Sequence, residues 1–112
     1  MFSKSHFTPF LYGPCTDNIS ITDKNFLEFH WKPVNDTVFM GYELKIYEGL
    51  KTRKEHLIFS QMIPGAVRAT PIEIRLFQPG HTYSWELRQI YFGGEKSRRA
   101  YCSFKITPNK VN

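Results

Sequence analysis

The sequence predicts an all-β domain, and three observations carry that reading. Tyr83, Trp85 and Leu87 alternate with Ser84, Glu86 and Arg88, which is the period of a strand with one buried face. A second alternation sets Ala100, Cys102, Phe104 and Ile106 against Tyr101, Ser103, Lys105 and Thr107. Against these, no window longer than about ten residues sustains the 3.6-residue apolar period of an amphipathic helix.

Each junction has its own cause. Gln78-Pro79-Gly80-His81 is a tight turn, because proline pre-sets its own φ and glycine accepts a positive one. Gly93-Gly94 supplies two permissive residues for a hairpin between the two strands. The segment from Lys51 to Met62 reads two ways: His56-Leu57-Ile58-Phe59 suits a short helical turn, while the flanking patterns favour a middle strand. A chain of 112 residues makes one domain. Phe, Tyr and Trp form 16% of it, and each aromatic ring buries a large area, so a small core is within reach.

Phe77-x-Pro79-Gly80-x-x-Tyr83, followed by Trp85-x-Leu87, Gly94 and Ser97, resembles the signature of fibronectin type III domains. In that family an apolar residue, Pro-Gly and a tyrosine mark the corner between strands E and F, and the tyrosine hydroxyl bonds back to the chain just upstream. Tyr83 takes the place of that tyrosine, and Phe77 the place of the usual leucine. Leu27-x-Phe29-x-Trp31 is similar to strand B with its core tryptophan, and Gly41-Tyr42-x-Leu44-x-Ile46 to strand C with its core tyrosine. Pro14 stands where a proline often opens strand A. Two departures stand out: Gln89 occupies a position usually held by alanine, and the segment between Tyr47 and Ile72 has no family marker.

The resemblance implies an all-β, seven-stranded antiparallel β-sandwich of fibronectin type III-like form over residues 13–108. Residues 1–12 are then an N-terminal extension and 109–112 a C-terminal tail. It gives Trp31, Tyr42, Phe77, Pro79, Gly80, Tyr83, Trp85 and Leu87 structural roles in core and corner. Cys15 falls at the entrance to the first strand and Cys102 on the last. One reading joins them in a disulfide, suited to an oxidising compartment and contributing roughly 3–5 kcal/mol by closing a long loop. The other leaves two thiols, with Cys102 a small buried hydrophobe beside Phe104 and Ile106.

Several function classes fall away. No stretch approaches the eighteen or so apolar residues that a spanning helix needs. Residues 1–14 are broken by Ser, Lys, His, Thr and Pro and do not read as a secretory leader. Asn18-Ile19-Ser20 and Asn35-Asp36-Thr37 fit the glycan acceptor pattern, although chance alone produces such triplets in a chain rich in Ser, Thr and Asn. His6, His30, His56 and His81 stand alone, and two distant cysteines make no zinc signature. No nucleophile elbow, phosphate loop or dinucleotide fingerprint is present. Glu43, Glu48, Glu73 and Glu86 fall at outward or edge positions where solvated charge is the ordinary explanation. The reading is of a protein without catalytic, cofactor or metal residues.

The net charge of +5 gathers in two clusters, Lys51-Thr52-Arg53-Lys54 and Lys96-Ser97-Arg98-Arg99. Together they fit a polyanion. The resemblance, however, assigns them to loops at opposite poles, about 30 Å apart by strand length, where they serve as edge protection.

A protein partner is the stronger expectation. Ile90 and Phe92 continue the outward side of Ser84, Glu86 and Arg88, with Tyr91, Tyr101, Arg98 and Arg99 nearby. Aromatic rings with arginines are the composition of binding hot spots. The competing reading is a register shift at the hairpin that buries Ile90. Phe2, Phe7, Phe10, Leu11 and Tyr12 precede the expected core and form a second apolar segment in want of a contact.

These observations favour a non-catalytic interaction or adhesion module, extracellular or on the cell surface rather than cytoplasmic. One alternative is a structural subunit of a filament, sheath or phage tail assembled through the N-terminal segment. Another is a receptor-like ligand-binding domain, though the tandem tryptophan-serine motif of such receptors is absent and Gly94-Glu95-Lys96-Ser97 is a distant echo of it.

Overall fold

Each central strand carries its large apolar residues two apart, so one face of each sheet turns inward. In the computed structural model, which describes residues 8–16, 18–34 and 38–108, eight strands follow in chain order. They are β1 (Phe10–Gly13), β2 (Asn18–Ile19), β3 (Phe26–Lys32), β4 (Gly41–Glu48), β5 (Leu57–Pro64), β6 (Ala69–Glu73), β7 (Thr82–Ile90) and β8 (Ala100–Ile106). Single 3-10 turns at Lys54–His56 and Ile74–Leu76 lead into β5 and into the corner before β7. The first resolves the two readings of Lys51 to Met62: a helical turn forms, but it ends at His56 and the strand begins at Leu57.

A three-stranded sheet, in the order β1-β3-β6, faces a five-stranded sheet, in the order β2-β8-β7-β4-β5. The seven expected antiparallel strands are all present. The eighth, β2, is a two-residue strand that runs parallel to β8. The sandwich also begins earlier than residue 13: Phe10–Gly13 pairs with β3, and Leu11 is buried in the core.

The core is aromatic. Phe29 packs edge-on against Trp85 at 4.9 Å and Phe104 at 5.7 Å, and stacks on Phe77 at 6.1 Å between ring centres. Trp31 meets Tyr42 at 5.4 Å. Offset and edge-to-face arrangements of this kind add to the stabilisation from buried area.

The corner forms as the resemblance implies. The Gln78 N–H donates to the Tyr83 hydroxyl at 2.8 Å, the His81 N–H donates to the Gln78 carbonyl at 3.1 Å, and Gly80 holds φ at 83°. The first strand changes sheets through residues 14–16, and each of the three is tied to the five-stranded sheet. The Trp85 indole donates to the Pro14 carbonyl at 2.7 Å, Cys15 forms a disulfide with Cys102, and the Thr16 N–H donates to the Ser103 carbonyl at 2.6 Å. Of the two readings of the cysteines, the disulfide is therefore the one found, and no free cysteine remains.

Reducing the bridge, or the change Cys102→Ala, is expected to lower the unfolding free energy by about 3–5 kcal/mol, given the long loop it closes. Urea denaturation with and without reductant measures this; a midpoint that does not move would show that the bridge adds nothing to stability.

Candidate functional site

The hairpin from β7 to β8 holds most of the residues that the sequence marks for binding, and its geometry separates them. β7 pairs Leu87 with Ala100, whereas three residues further on Ile90 pairs with Lys96. The returning arm therefore contains one residue more than the outgoing arm, which is a β-bulge. Ser97 fills it. The Gln89 N–H donates to the Ser97 hydroxyl at 2.9 Å, that hydroxyl donates to the Arg98 carbonyl at 2.8 Å, and the Ser97 N–H donates to the Gln89 carbonyl at 2.8 Å. Ser97 is buried as a result.

Two residues expected at the surface are inside. Ile90 is 4% exposed and Tyr91 is 2% exposed. For Ile90, the register-shift reading is the correct one. Tyr91 follows from the alternation itself, since Leu87, Gln89 and Tyr91 share the inward face of β7 and its extension. Gln89, the departure from the family pattern, is fully buried, and its side-chain oxygen accepts the Val34 N–H at 2.9 Å. It thereby ties the hairpin to the segment after β3.

The tip is built from three loop residues rather than the expected Gly-Gly pair. The Gly94 N–H donates to the Tyr91 carbonyl at 2.9 Å, the Tyr91 N–H to the Glu95 carbonyl at 2.8 Å, and Gly94 alone takes a positive φ, of 89°. A turn followed by one left-handed residue is the common three-residue hairpin. It leaves Phe92 at the apex, 68% exposed. Arg98, Arg99 and Tyr101 are exposed as expected.

Two exposed apolar side chains just ahead of β4, near the base of the hairpin, were missed by the sequence reading. Val38 is 78% exposed and Met40 47% exposed, and the Met40 N–H donates to the Ile90 carbonyl at 2.9 Å. Their alternation with half-buried Phe39 was a signal available in the sequence.

The outer face of β7 is not the solvated surface expected for Glu86. That residue is only 8% exposed. The Tyr47 hydroxyl donates to its carboxylate at 2.6 Å, and Arg99 stands 3.7 Å away. Burial, followed by the hydrogen bond to Glu86, raises the Tyr47 phenol well above its ordinary value of 10.0. The Arg99 guanidinium lies over the Tyr101 ring at 5.3 Å and also donates to the Thr52 hydroxyl. The chain after β4 has turned back across the sheet, held by the Ser84 hydroxyl donating to the Gly49 carbonyl at 2.9 Å. The two basic clusters therefore meet on one face, and their expected separation at opposite poles is overturned.

The remaining candidates stay apart. His30 is exposed and stacks on Tyr12 at 5.9 Å, His56 is exposed, and His81 meets the Glu48 carboxylate at 2.7 Å. Glu48 and Glu73 are exposed and Glu43 is half-buried. Among the described residues, no three His, Cys, Asp or Glu side chains gather to hold a metal ion, and no helix is long and apolar enough to cross a membrane. Phe2, His6, Phe7 and the Asn35 acceptor triplet lie outside the described residues.

No protein-family model matches the sequence, and no curated protein matches it. Solved structures do match the fold. The third fibronectin III domain of the human KIAA0343 protein superposes with a TM-score of 0.58 at 16% identity, over 98% of this chain and 90% of that one. The fold is a β-sandwich of the fibronectin III kind. A computationally redesigned β-sandwich protein gives a TM-score of 0.69 at 12% identity, over 93% of both chains. An α-L-rhamnosidase from Dictyoglumus thermophilum gives 0.72 at 16% identity, where 95% of this chain matches only 13% of the enzyme.

Tyr47 generates a prediction in alkali. Its pKa is raised by folding, so its stabilising contribution is complete below the unfolded value of 10.0 and lost as pH rises beyond it. Stability is expected to fall above about pH 10, and Tyr47→Phe to flatten that fall by close to one proton. Urea midpoints across the alkaline range measure the slope; equal slopes in both proteins would contradict the assignment.

Proposed function

We propose that this domain is a non-catalytic interaction module, working outside the cell or at its surface, that engages a protein partner through the apex of the β7–β8 hairpin. The observation that carries the reading is Phe92, exposed at the apex of a hairpin whose base is fixed by the Ser97 and Gln89 hydrogen bonds. A large exposed ring on a rigid support binds with little ordering entropy. Val38 and Met40 extend the apolar area, and Arg98 and Tyr101 add the polar and aromatic chemistry of a hot-spot rim.

Two further features support it. Sandwiches of the fibronectin III kind are often used as protein-interaction modules. The Cys15–Cys102 bridge suits an oxidising compartment, where such modules meet surface partners. Ile90 and Tyr91 support the contact surface from beneath and make no part of it.

Phe92→Ala is expected to weaken capture of a partner from cell-surface preparations by about tenfold or more, the loss typical of a hot-spot aromatic. Val38→Ser is expected to weaken it less, and Lys24→Ala not at all, with melting temperature unchanged in all three. Capture that survives both Phe92→Ala and Val38→Ser would move the partner to another surface.

A further inference from the structure

The meeting of the two basic clusters has a consequence of its own. On the outer face of the five-stranded sheet, cross-strand pairing sets Tyr101 beside Glu86 and Glu86 beside Lys45. Arg99 reaches across this row to Thr52 and brings the loop of Lys51, Arg53 and Lys54 onto this face, with exposed Arg98 as its chain neighbour. These six cations stand against two carboxylates, Glu55 and Glu86. Glu86 is buried under Tyr47 and paired with Arg99, so its charge is largely cancelled. Glu43 is likewise offset by Lys96 at 3.4 Å. Among the described residues, this side of the sandwich therefore carries a clear excess of positive charge. On the opposite sheet Lys24, Lys32, Arg68 and Arg75 stand against Asp23, Glu28 and Glu73, and Arg75 is paired to Glu73 at 2.5 Å.

We propose that this face binds an extended polyanion, specifically a sulfated linear polysaccharide. Lysines and arginines spread over β4 and two loops match repeated point charges along a chain. They lack the register and shape of a pocket for one small anion. Two observations favour a polysaccharide over a nucleic acid. The Cys15–Cys102 disulfide belongs to compartments where glycans are exposed and nucleic acids are not. Single-stranded nucleic acids are held by free aromatic platforms. Among the described residues, Tyr101 is the one exposed aromatic ring on this face, and it already carries the Arg99 guanidinium.

The surface shares Arg98 and Tyr101 with the rim around Phe92 but does not include Phe92 itself. Phe92→Ala is therefore expected to leave polyanion binding unchanged, so failure of either proposal can be told from failure of the other. The probe is heparin, titrated against the intact, oxidised protein, with desulfated heparin and a single-stranded oligonucleotide of matched charge alongside. Heparin is expected to bind, and its apparent Kd to weaken at least about tenfold between roughly 50 and 200 mM salt, as counterion release requires. Desulfated heparin and the oligonucleotide are expected to bind at least about tenfold more weakly. Lys54→Ala and Arg98→Ala, one from each cluster, are each expected to weaken heparin binding about threefold or more and to reduce its salt dependence. Lys24→Ala and Arg75→Ala, on the other sheet, are expected to change neither. Heparin binding that is absent, indifferent to salt, or equally lost with Arg75→Ala would overturn the proposal. An oligonucleotide that binds as tightly as heparin would overturn the choice of glycan.

Discussion

The sandwich depends on how its first strand crosses from one sheet to the other. Facing sheets stand about 10 Å apart, and a chain crossing that gap brings backbone polar groups away from both ladders, where each needs a partner. Here the crossing occupies residues 14–16, and β7 and β8 supply partners on every side. Trp85 is central because its two halves do different things. Its ring fills the core against Phe29, and its N–H holds the Pro14 carbonyl. The disulfide and the Ser103 carbonyl secure the next two residues. Core packing and docking of the first strand therefore share one side chain, and neither can be loosened alone.

The same economy appears on the outer side of β7. In most sandwiches the outward residues of a strand meet water. Here Ser84, Glu86 and Ile90 are all buried, because a returning loop and the bulged arm of the hairpin lie over them. A carboxylate under such cover requires a hydrogen bond or a counter-charge; Tyr47 provides the first and Arg99 the second. Arg99 thus works twice: it satisfies Glu86 beneath and fastens Thr52 above. Positive charge left over after this pairing remains at the surface of the same sheet.

What was legible in the sequence is what depends on neighbours along the strand. Alternation located the Trp85 series on an inward face, and the resemblance to fibronectin type III strands located Leu27, Phe29 and Trp31 and the Tyr42 series there. The turn chemistry of Pro79 and Gly80, with Tyr83, located the corner. What was not legible depends on register between distant strands. Ile90 reads as outward by parity, and its burial follows from one extra residue at Ser97–Arg98 on the opposite arm. Glu86 reads as solvated until the loop after β4 is known to turn back over it. The cysteines read two ways because their pairing rests on the sheet change of the first strand, for which no local pattern speaks. Phe92 was rightly placed at the surface, but on a parity argument that its neighbour Ile90 breaks; the three-residue turn is the actual reason.

The disulfide also governs how the domain answers a mechanical load. Its two cysteines stand near opposite ends of the chain, with a sequence separation of 87. Tension applied through the termini passes directly from Cys15 to Cys102 and bypasses every strand between them. About 300 Å of contour length is thereby withheld from extension. While oxidised, the stretch between the two cysteines acts as a nearly inextensible link. Reduction turns the same domain into an extensible element, whose length under force is set by the hydrogen-bonded ladders of β1 and β8.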